Sequence, residues 1–350
     1  MKAHENGARA THAIVFALVL AVSIACGCKR SDTQSSGRTF VFGAYTTPRE
    51  AYGTTIIPAF KAHWKQKTGE DLAFQESYQG SGAQARAIVE GFEADVVALS
   101  LEPDLVMLEK ARLVTRDWRA GSNRGVVSRS VVVIAVRPGN PKGIRDWVDL
   151  AKPGIEVLTP NVRTSGGAMW TFAALSGAAI RGNAGPAKGD VDAAERVLAD
   201  VLSNILVMDK GARESIVSFE KGIGDAAITY ENEVLVAKME GRKMDYVVPR
   251  STILIENPVA VVDVHANKHG VDDVAKELVA FLATAEAQRA YTKFGLRSIL
   301  KADEAGSFPP VDDLFTIEDL GGWSEVHARI FAKGAVYDRA MRAVHAKDKR

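Results

Sequence analysis

Hydrophobic runs of strand length alternate with amphipathic stretches of helix length along most of the chain. In its first third this alternation predicts a strand at 39–45, a helix at 47–69 with a break near Pro58, a strand at 71–79, a helix at 80–93 and a strand at 94–100. This order is typical of a mostly parallel sheet with helices on both faces. The predicted fold class is therefore α/β.

A second series of the same kind follows after residue 138. It predicts helices at 144–154, 165–180, 192–205 and 212–223, strands at 155–161 and 206–209, and a strand that runs into a helix at 225–237. Two long apolar strands, at 130–137 and 251–262, flank this series, and a long amphipathic helix is predicted at 271–295. A chain that leaves one α/β unit and returns to it forms two lobes around a cleft, and the two crossover strands form the hinge. We predict lobe 1 at 39–130 plus 257–350, including C-terminal helices, and lobe 2 at 131–256.

The N-terminal residues differ from the rest. A basic segment precedes a short apolar run at 13–25, which predicts a secretory signal peptide over 1–25. The two cysteines of the chain, Cys26 and Cys28, lie directly after it. This position favours lipid attachment at Cys26, with Cys28 or simple cleavage as the alternatives. Residues 26–38 are polar and predict a flexible tether, so we expect an extracytoplasmic protein that touches a membrane only through an N-terminal lipid.

Composition and charge narrow the function classes. The chain has 350 residues, of which 47% are hydrophobic and 25% charged, and a formal net charge of +1. This is ordinary globular composition without a basic field, which argues against a nucleic-acid partner. The position of the cysteines argues against a thiol enzyme or a cysteine-bound zinc. Any anion that the protein binds must be held by a local site.

Three turns share one pattern, in which a strand is followed by small residues and then by a helix start. They contain Gly80, Ser81 and Gly82; Ser165, Gly166 and Gly167; and Gly211 and Ala212. Each directs the free N–H groups of a helix start past the end of a strand, and glycine lets a ligand approach the backbone closely. One such turn is an ordinary helix cap, whereas three across both lobes indicate a shared anion site.

Enzyme chemistry has less support in the sequence. The G-x-S-x-G spacing is absent around Ser81, and no histidine is placed as its base. A P-loop is absent, and no metal-ligand set is evident. Neither catalysis, a metal nor a cofactor is therefore expected. Arg213, next to the third turn, is interpreted as an ion-pair former behind the site or between the lobes, with a surface salt bridge as the alternative.

Several long stretches resemble the bacterial periplasmic sulfate-binding proteins, the receptors of sulfate/thiosulfate ABC importers. They include "YQGSGAQARAIVEGFEADVVALS", "NVRTSGGAMWTFAAL" and "DKGARESIVSFEKGIGDAAITY", and the resemblance runs from about 39 to 342. It implies a two-lobed periplasmic-binding-protein fold (type II), a monomeric periplasmic receptor, an importer permease as partner, and sulfate or thiosulfate as ligand. The contacts that it implies are the backbones of Ser81, Gly166, Gly167 and Ala212 and the hydroxyl of Ser165.

Two positions depart from the family pattern. Tyr230 stands where relatives carry a ligand-binding tryptophan, and Thr46 stands where they carry an aspartate, beside the ligand contacts. An indole N–H only donates, whereas a phenol donates or accepts, so we expect Tyr230 either to relax the rejection of protonated anions such as phosphate or to reach the ligand through a water. We expect sulfate or thiosulfate still to bind best. Another oxyanion (molybdate, tungstate or phosphate) or a sensing role remains the alternative.

Overall fold

The computed structural model describes residues 37–300 and 308–347, so the predicted signal peptide, Cys26, Cys28 and nearly all of the tether lie outside the described residues. The strands in this part are β1 (Arg38–Tyr45), β2 (Leu72–Gln79), β3 (Val96–Ala98), β4 (Val126–Val136), β5 (Val157–Pro160), β6 (Ile205–Asp209), β7 (Ala226–Tyr230), β8 (Asp245–Val247), β9 (Ser251–Val261) and β10 (Asp313–Phe315).

The α-helices of the same residues are α1 (Arg49–Ala51), α2 (Ile57–Thr68), α3 (Ser81–Val89), α4 (Glu102–Lys110), α5 (Gly166–Ile180), α6 (Val191–Ser203), α7 (Ala212–Glu220), α8 (Glu231–Met239), α9 (Asp263–Lys268), α10 (Asp272–Leu282), α11 (Ala285–Lys293), α12 (Gly322–Val326) and α13 (Val336–Lys347). Short 3-10 turns cover Trp147–Ala151 and Glu318–Leu320, and π-helical turns cover Tyr52–Ile56 and His327–Phe331. None of the helices in the described ranges has the length and apolar character needed to cross a membrane.

The strands pair in the order β2-β1-β3-β9-β4-β7-β5-β6, with β8 beside β4 and β10 beside β9. The outer pairs are parallel, as expected when helices connect successive strands. The central pairs, β3 with β9, β9 with β4, and β4 with β7, are antiparallel. We call β2-β1-β3 and the part of β9 paired with it the first sheet half, and β7-β5-β6 and the part of β4 paired with it the second sheet half.

The long strands β4 and β9 belong to both sheet halves. Over Val126–Val131, β4 pairs with β9, and from Val132 onward it pairs with β7. β9 changes its partner from β4 to β3 after Pro258, a residue that has no N–H to contribute to a ladder. The predicted crossover strands are therefore present, and the α/β fold with a mostly parallel outer sheet is confirmed.

Both faces of each sheet half are buried. Phe40 and Phe42 on β1 pack into one cluster, and Val41 between them packs against another on the opposite face. On β4, Val132 and Ile134 alternate in the same way with Val133. Successive strand residues point to opposite faces, so a strand covered by helices on both sides is apolar at every position.

Three helical regions differ from the prediction. The break predicted near Pro58 takes the form of a widened π-helical turn over Tyr52–Ile56, directly before α2, which carries Pro58 in its first turn. The helix at 271–295 is two helices, because the Thr284 hydroxyl accepts from Ala287 N–H and begins α11. Helix α4 was not predicted at all. It begins directly after Leu101 and buries Leu105 and Leu108.

The C-terminal segment packs against the second sheet half. Strand β10 pairs with the first residues of β9, and Asp313 accepts from Arg181 and Asn183 near the end of α5. The ring of Tyr337 lies 5.0 Å from that of Phe172 on α5. The lobe boundaries stay a prediction, and these contacts favour grouping the segment from Asp313 onward with 131–256 rather than with lobe 1.

Candidate anion-binding site

The starts of α3, α5 and α7 meet at one small cavity between the two sheet halves. Its volume is about 10 Å³, close to the space of one water molecule, so only a compact ligand is a candidate. The lining residues are Tyr45, Thr46, Thr47, Gly80, Ser81, Ser100, Ser165, Gly166, Gly167, Ala212 and Tyr230. All six predicted ligand residues are among them. Thr46, expected beside the contacts, lies in the lining itself, and Arg213 lies outside it.

Ser81 begins α3 and lines the cavity, and its side chain is already engaged in hydrogen bonds. The Ser81 hydroxyl donates to Asp104 Oδ2 at 2.5 Å and accepts from the backbone N–H of Ser100 at 2.9 Å. The N–H groups of a first helical turn have no partner within the helix. The geometry is therefore compatible with the predicted backbone role of Ser81.

Ser165 caps α5 and brings two glycines to the cavity. Its Oγ accepts from Gly167 N–H at 3.2 Å, a long bond that leaves the hydroxyl hydrogen of Ser165 unassigned. A Cβ on Gly166 would lie 2.6 Å from Ser100 Oγ, and one on Gly167 would lie 2.8 Å from Tyr230 Cε2. Both positions therefore require glycine because of contacts across the cavity.

The loops of the two sheet halves also touch at Gly80. A Cβ there would lie 2.5 Å from the carbonyl oxygen of Thr164, in the loop before α5, and 3.3 Å from that of Lys210, in the loop before α7. The hydroxyl of Thr164 donates to the same Lys210 carbonyl at 2.8 Å. Glycine at position 80 permits this approach of the three turns.

Arg213 connects the sheet halves just outside the cavity. Its guanidinium donates to both carboxylate oxygens of Glu50 on α1, at 2.7 and 2.9 Å, and to Glu233 on α8 at 2.5 Å. The side chain of Arg213 is 18% exposed and that of Glu233 is 1% exposed, so the surface salt bridge is not the observed arrangement. Burial raises the pKa of Glu233 despite Arg213, whereas at Glu50 the arginine outweighs burial and lowers the pKa.

Sequence reasoning missed Ser100, which is central to the site. The Ser100 hydroxyl lies 2.6 Å from the hydroxyl of Tyr230. The Ser100 carbonyl accepts from the indole N–H of Trp170 at 2.9 Å and from Asn257 at 3.3 Å. Its place at the end of the predicted strand 94–100 is the signal that could have identified it, because ligands collect at the carboxyl ends of parallel strands. Two further lining residues lie at the end of β1 in the same way: Tyr45 is its last residue, and Thr47 comes two residues later.

The residues that line the cavity carry no formal charge within the described part of the chain. Burial raises the pKa of Tyr230 above its usual range, so the phenol is neutral at pH 7. Asp104, behind Ser81, is a buried carboxyl whose pKa burial raises to about 6. Within 37–300 and 308–347, no group of three or more His, Cys, Asp or Glu is arranged to hold a metal ion. The available donors are thus backbone N–H groups at positive helix ends and neutral hydroxyls.

Comparisons with known proteins agree with this geometry. The profile of the family "Bacterial extracellular solute-binding protein" matches residues 46–297. The chain is 40% identical over 339 residues to the sulfate-binding protein of Synechococcus elongatus, covering 95% of each chain. It is 33% identical to the thiosulfate-binding protein of Escherichia coli, covering 86% of this chain and 90% of that one. Among solved structures, the sulfate-binding protein SubI from Mycobacterium tuberculosis matches with a TM-score of 0.76 and 34% identity, covering 84% of this chain and 99% of that one.

Proposed function

The chain belongs to the family of bacterial extracellular solute-binding proteins, and from this premise we propose that it captures one sulfate dianion in the cavity at the starts of α3, α5 and α7. The protein is a solute-binding receptor for sulfate, as its sulfate- and thiosulfate-binding relatives support. It acts as a transport receptor and is periplasmic. An enzymatic activity is not part of the proposal.

The observation that carries the ligand assignment is the charge-free lining with three helix starts. Sulfate at neutral pH offers only acceptors, and this lining offers N–H and O–H donors. We assign the contacts to the backbones of Ser81, Gly166, Gly167 and Ala212 and to the hydroxyls of Ser165 and Tyr230. Hydrogen bonds to a charged group contribute about 1.5–3 kcal/mol each, so a few of them hold the dianion without a counter-charge.

The small cavity also limits the alternatives. At about 10 Å³ the cavity is far too small for an organic phosphate, so only a compact anion is a candidate. Thiosulfate, which also offers only acceptors, fits the same donors. The relatives favour sulfate and thiosulfate over molybdate, tungstate and phosphate, and phosphate additionally needs an acceptor for its proton, which hydroxyl oxygens of the lining can provide. A sensing role shares the same site and is likewise not favoured by the relatives.

Delivery of the anion requires a permease and a closed receptor. We propose that this protein works as a monomer with the permease of an ABC importer, held near the membrane by a lipid on Cys26. Its lobes close over sulfate, and the Arg213–Glu50 pair and the contact at Gly80 join the sheet halves in the closed form. The predicted hinge is the region where β4 and β9 exchange partners.

Calorimetric titration of the purified protein with sulfate, thiosulfate, molybdate and phosphate tests the ligand, and Ala212→Pro tests the site. Proline removes one backbone N–H but is tolerated at the first position of a helix. Ala285→Pro, at the first position of α11, is the matched control. We expect 1:1 sulfate binding that Ala212→Pro weakens by roughly 10- to 100-fold and that the control leaves unchanged. Equal affinities of both variants would contradict the assigned site, and failure of sulfate to bind would contradict the function.

A further inference from the structure

Two hydroxyl groups from opposite sheet halves share one hydrogen bond inside the cavity. Ser100 follows β3 in the first sheet half, and Tyr230 ends β7 in the second. Their oxygen atoms are 2.6 Å apart, and both side chains are at most 2% exposed. Either hydroxyl can donate to the other.

The backbone of Ser100 is fixed on both sides, so its hydroxyl can move only by rotation about χ1. Its N–H donates to Ser81 Oγ, and its carbonyl oxygen accepts from Trp170 Nε1. The ring of Tyr230 is fixed by contact with the first turn of α5, where it lies against Gly167. The pair therefore lies beside the assigned anion contacts.

A count of hydrogen atoms shows what the pair offers to a ligand. Two hydroxyls carry two hydrogens, and their mutual bond uses one of them. One O–H donor is left for the anion, and lone pairs on both oxygens remain able to accept. Reversing the direction of the mutual bond changes which oxygen donates and requires no movement of heavy atoms. An indole at position 230 would supply a donor and no acceptor.

We propose that Ser100 and Tyr230 act together as a specificity-determining donor–acceptor pair. The pair donates one hydrogen bond to a fully deprotonated oxyanion such as sulfate, and it accepts one from a singly protonated tetrahedral oxyanion such as hydrogenphosphate. The site therefore prefers sulfate but binds the protonated class measurably. This inference rests on the proposed function, and it adds Ser100 as a residue that sets selectivity.

The test compares sulfate with inorganic phosphate at about pH 8, where both are dianions and only phosphate carries a proton. Calorimetry on the purified protein gives the ratio of the two dissociation constants. The informative variants are Tyr230→Trp, which leaves Ser100 as the acceptor, and Tyr230→Trp combined with Ser100→Ala, which removes both hydroxyls but retains an N–H donor. Ser218→Ala, which removes a hydroxyl bonded to Asp209 and away from the cavity lining, is the control.

We expect measurable phosphate binding by the unaltered protein and a phosphate-to-sulfate ratio of dissociation constants that rises roughly tenfold or more in the double variant. Tyr230→Trp alone should give an intermediate ratio, and Ser218→Ala an unchanged one. Sulfate binding with no detectable phosphate binding in the unaltered protein, or an unchanged ratio in the double variant, would overturn the inference and leave the proposed function standing. Absence of sulfate binding in the unaltered protein would instead overturn the proposed function.

Discussion

Arg213→Met tests whether the buried ion-pair cluster stabilises the protein as the structure suggests. The substitution keeps much of the apolar stem but leaves Glu233 without its guanidinium partner. Glu233 is 1% exposed, so its carboxyl must either stay charged in a desolvated position or take up a proton. Breaking a buried pair in this way costs about 3–5 kcal/mol. This cost has an upper limit, because the Glu233 carboxyl takes up a proton when protonation costs less free energy than keeping the charge buried.

The magnitude follows from the pKa of a carboxyl. An ordinary glutamic acid has a pKa near 4.3, so protonating it at pH 7 costs about 1.4 kcal/mol for each of roughly 2.7 pH units. Arg213→Met should therefore lower the free energy of unfolding by at most about 3–4 kcal/mol at pH 7, because the raised pKa of Glu233 already costs the unaltered protein part of this amount. A folded state that is protonated at Glu233 binds more protons than the unfolded state at this pH, so the deficit shrinks as the pH falls. At pH 5 it should be about 1 kcal/mol.

Urea unfolding at both pH values, followed by tryptophan fluorescence, measures this difference. Glu50→Gln is the matched control, since it removes the half-buried partner of Arg213 and leaves the pair with Glu233 intact. We expect the control to change the unfolding free energy by less than about 1 kcal/mol while weakening sulfate binding through the lost link between sheet halves. Equal deficits at pH 7 and pH 5, or a control as destabilised as Arg213→Met, would refute the reasoning.

Three further predictions concern the site and two titrating groups. Gly167→Ala should reduce sulfate affinity by 100-fold or more in calorimetry, on the order of 3 kcal/mol, because its Cβ would lie 2.8 Å from the Tyr230 ring. Gly53→Ala should leave the affinity unchanged, because the nearest atom to its Cβ would be Glu76 Oε2 at 3.4 Å, an ordinary contact. Equal effects of the two variants would contradict the close fit at Gly167. Asp104→Asn should raise the midpoint of urea unfolding at pH 7.5 but not at pH 4. Burial raises the pKa of Asp104 to about 6, so the ionisation of this carboxyl, which destabilises the folded protein, is complete only above that pH. The sulfate affinity of the unaltered protein should rise as the pH falls through 6, and Asp104→Asn should lack this rise. A sulfate affinity of the unaltered protein that does not change with pH would argue against a link to Asp104. Burial lowers the pKa of His269, but the hydrogen bonds to Asp95 and Glu93 outweigh it and raise the pKa overall. The stabilisation of the protein by protonated His269 is therefore complete below about pH 6.5 and is lost as the pH rises above that. His269→Gln should lack this loss in thermal unfolding, and a variant whose pH profile matches that of the unaltered protein would exclude the contacts of His269 with Asp95 and Glu93 as the cause.

The sequence by itself determined the features that depend on local backbone chemistry. Small residues at 80–82, 165–167 and 211–212 follow strands and precede helices, and the helix starts that they predict are the ones that surround the cavity. The free N–H groups of a helix start arise from the helix itself, so a local pattern is sufficient to predict them. Strands β4 and β9 could be predicted in a similar way, because apolar residues at successive positions indicate a strand that is buried on both faces.

The tertiary structure alone decided which side chains meet across the cavity. Ser100 and Tyr230 are 130 residues apart, and Arg213 and Glu50 are 163 apart, so no local pattern links them. The partners depend on where β4 and β9 leave one sheet half for the other, which is a matter of long-range strand register. Hydrogen bonds and ion pairs require distances correct to a few tenths of an ångström. That precision arises only when the packed sheet halves bring the ends of β3 and β7 together.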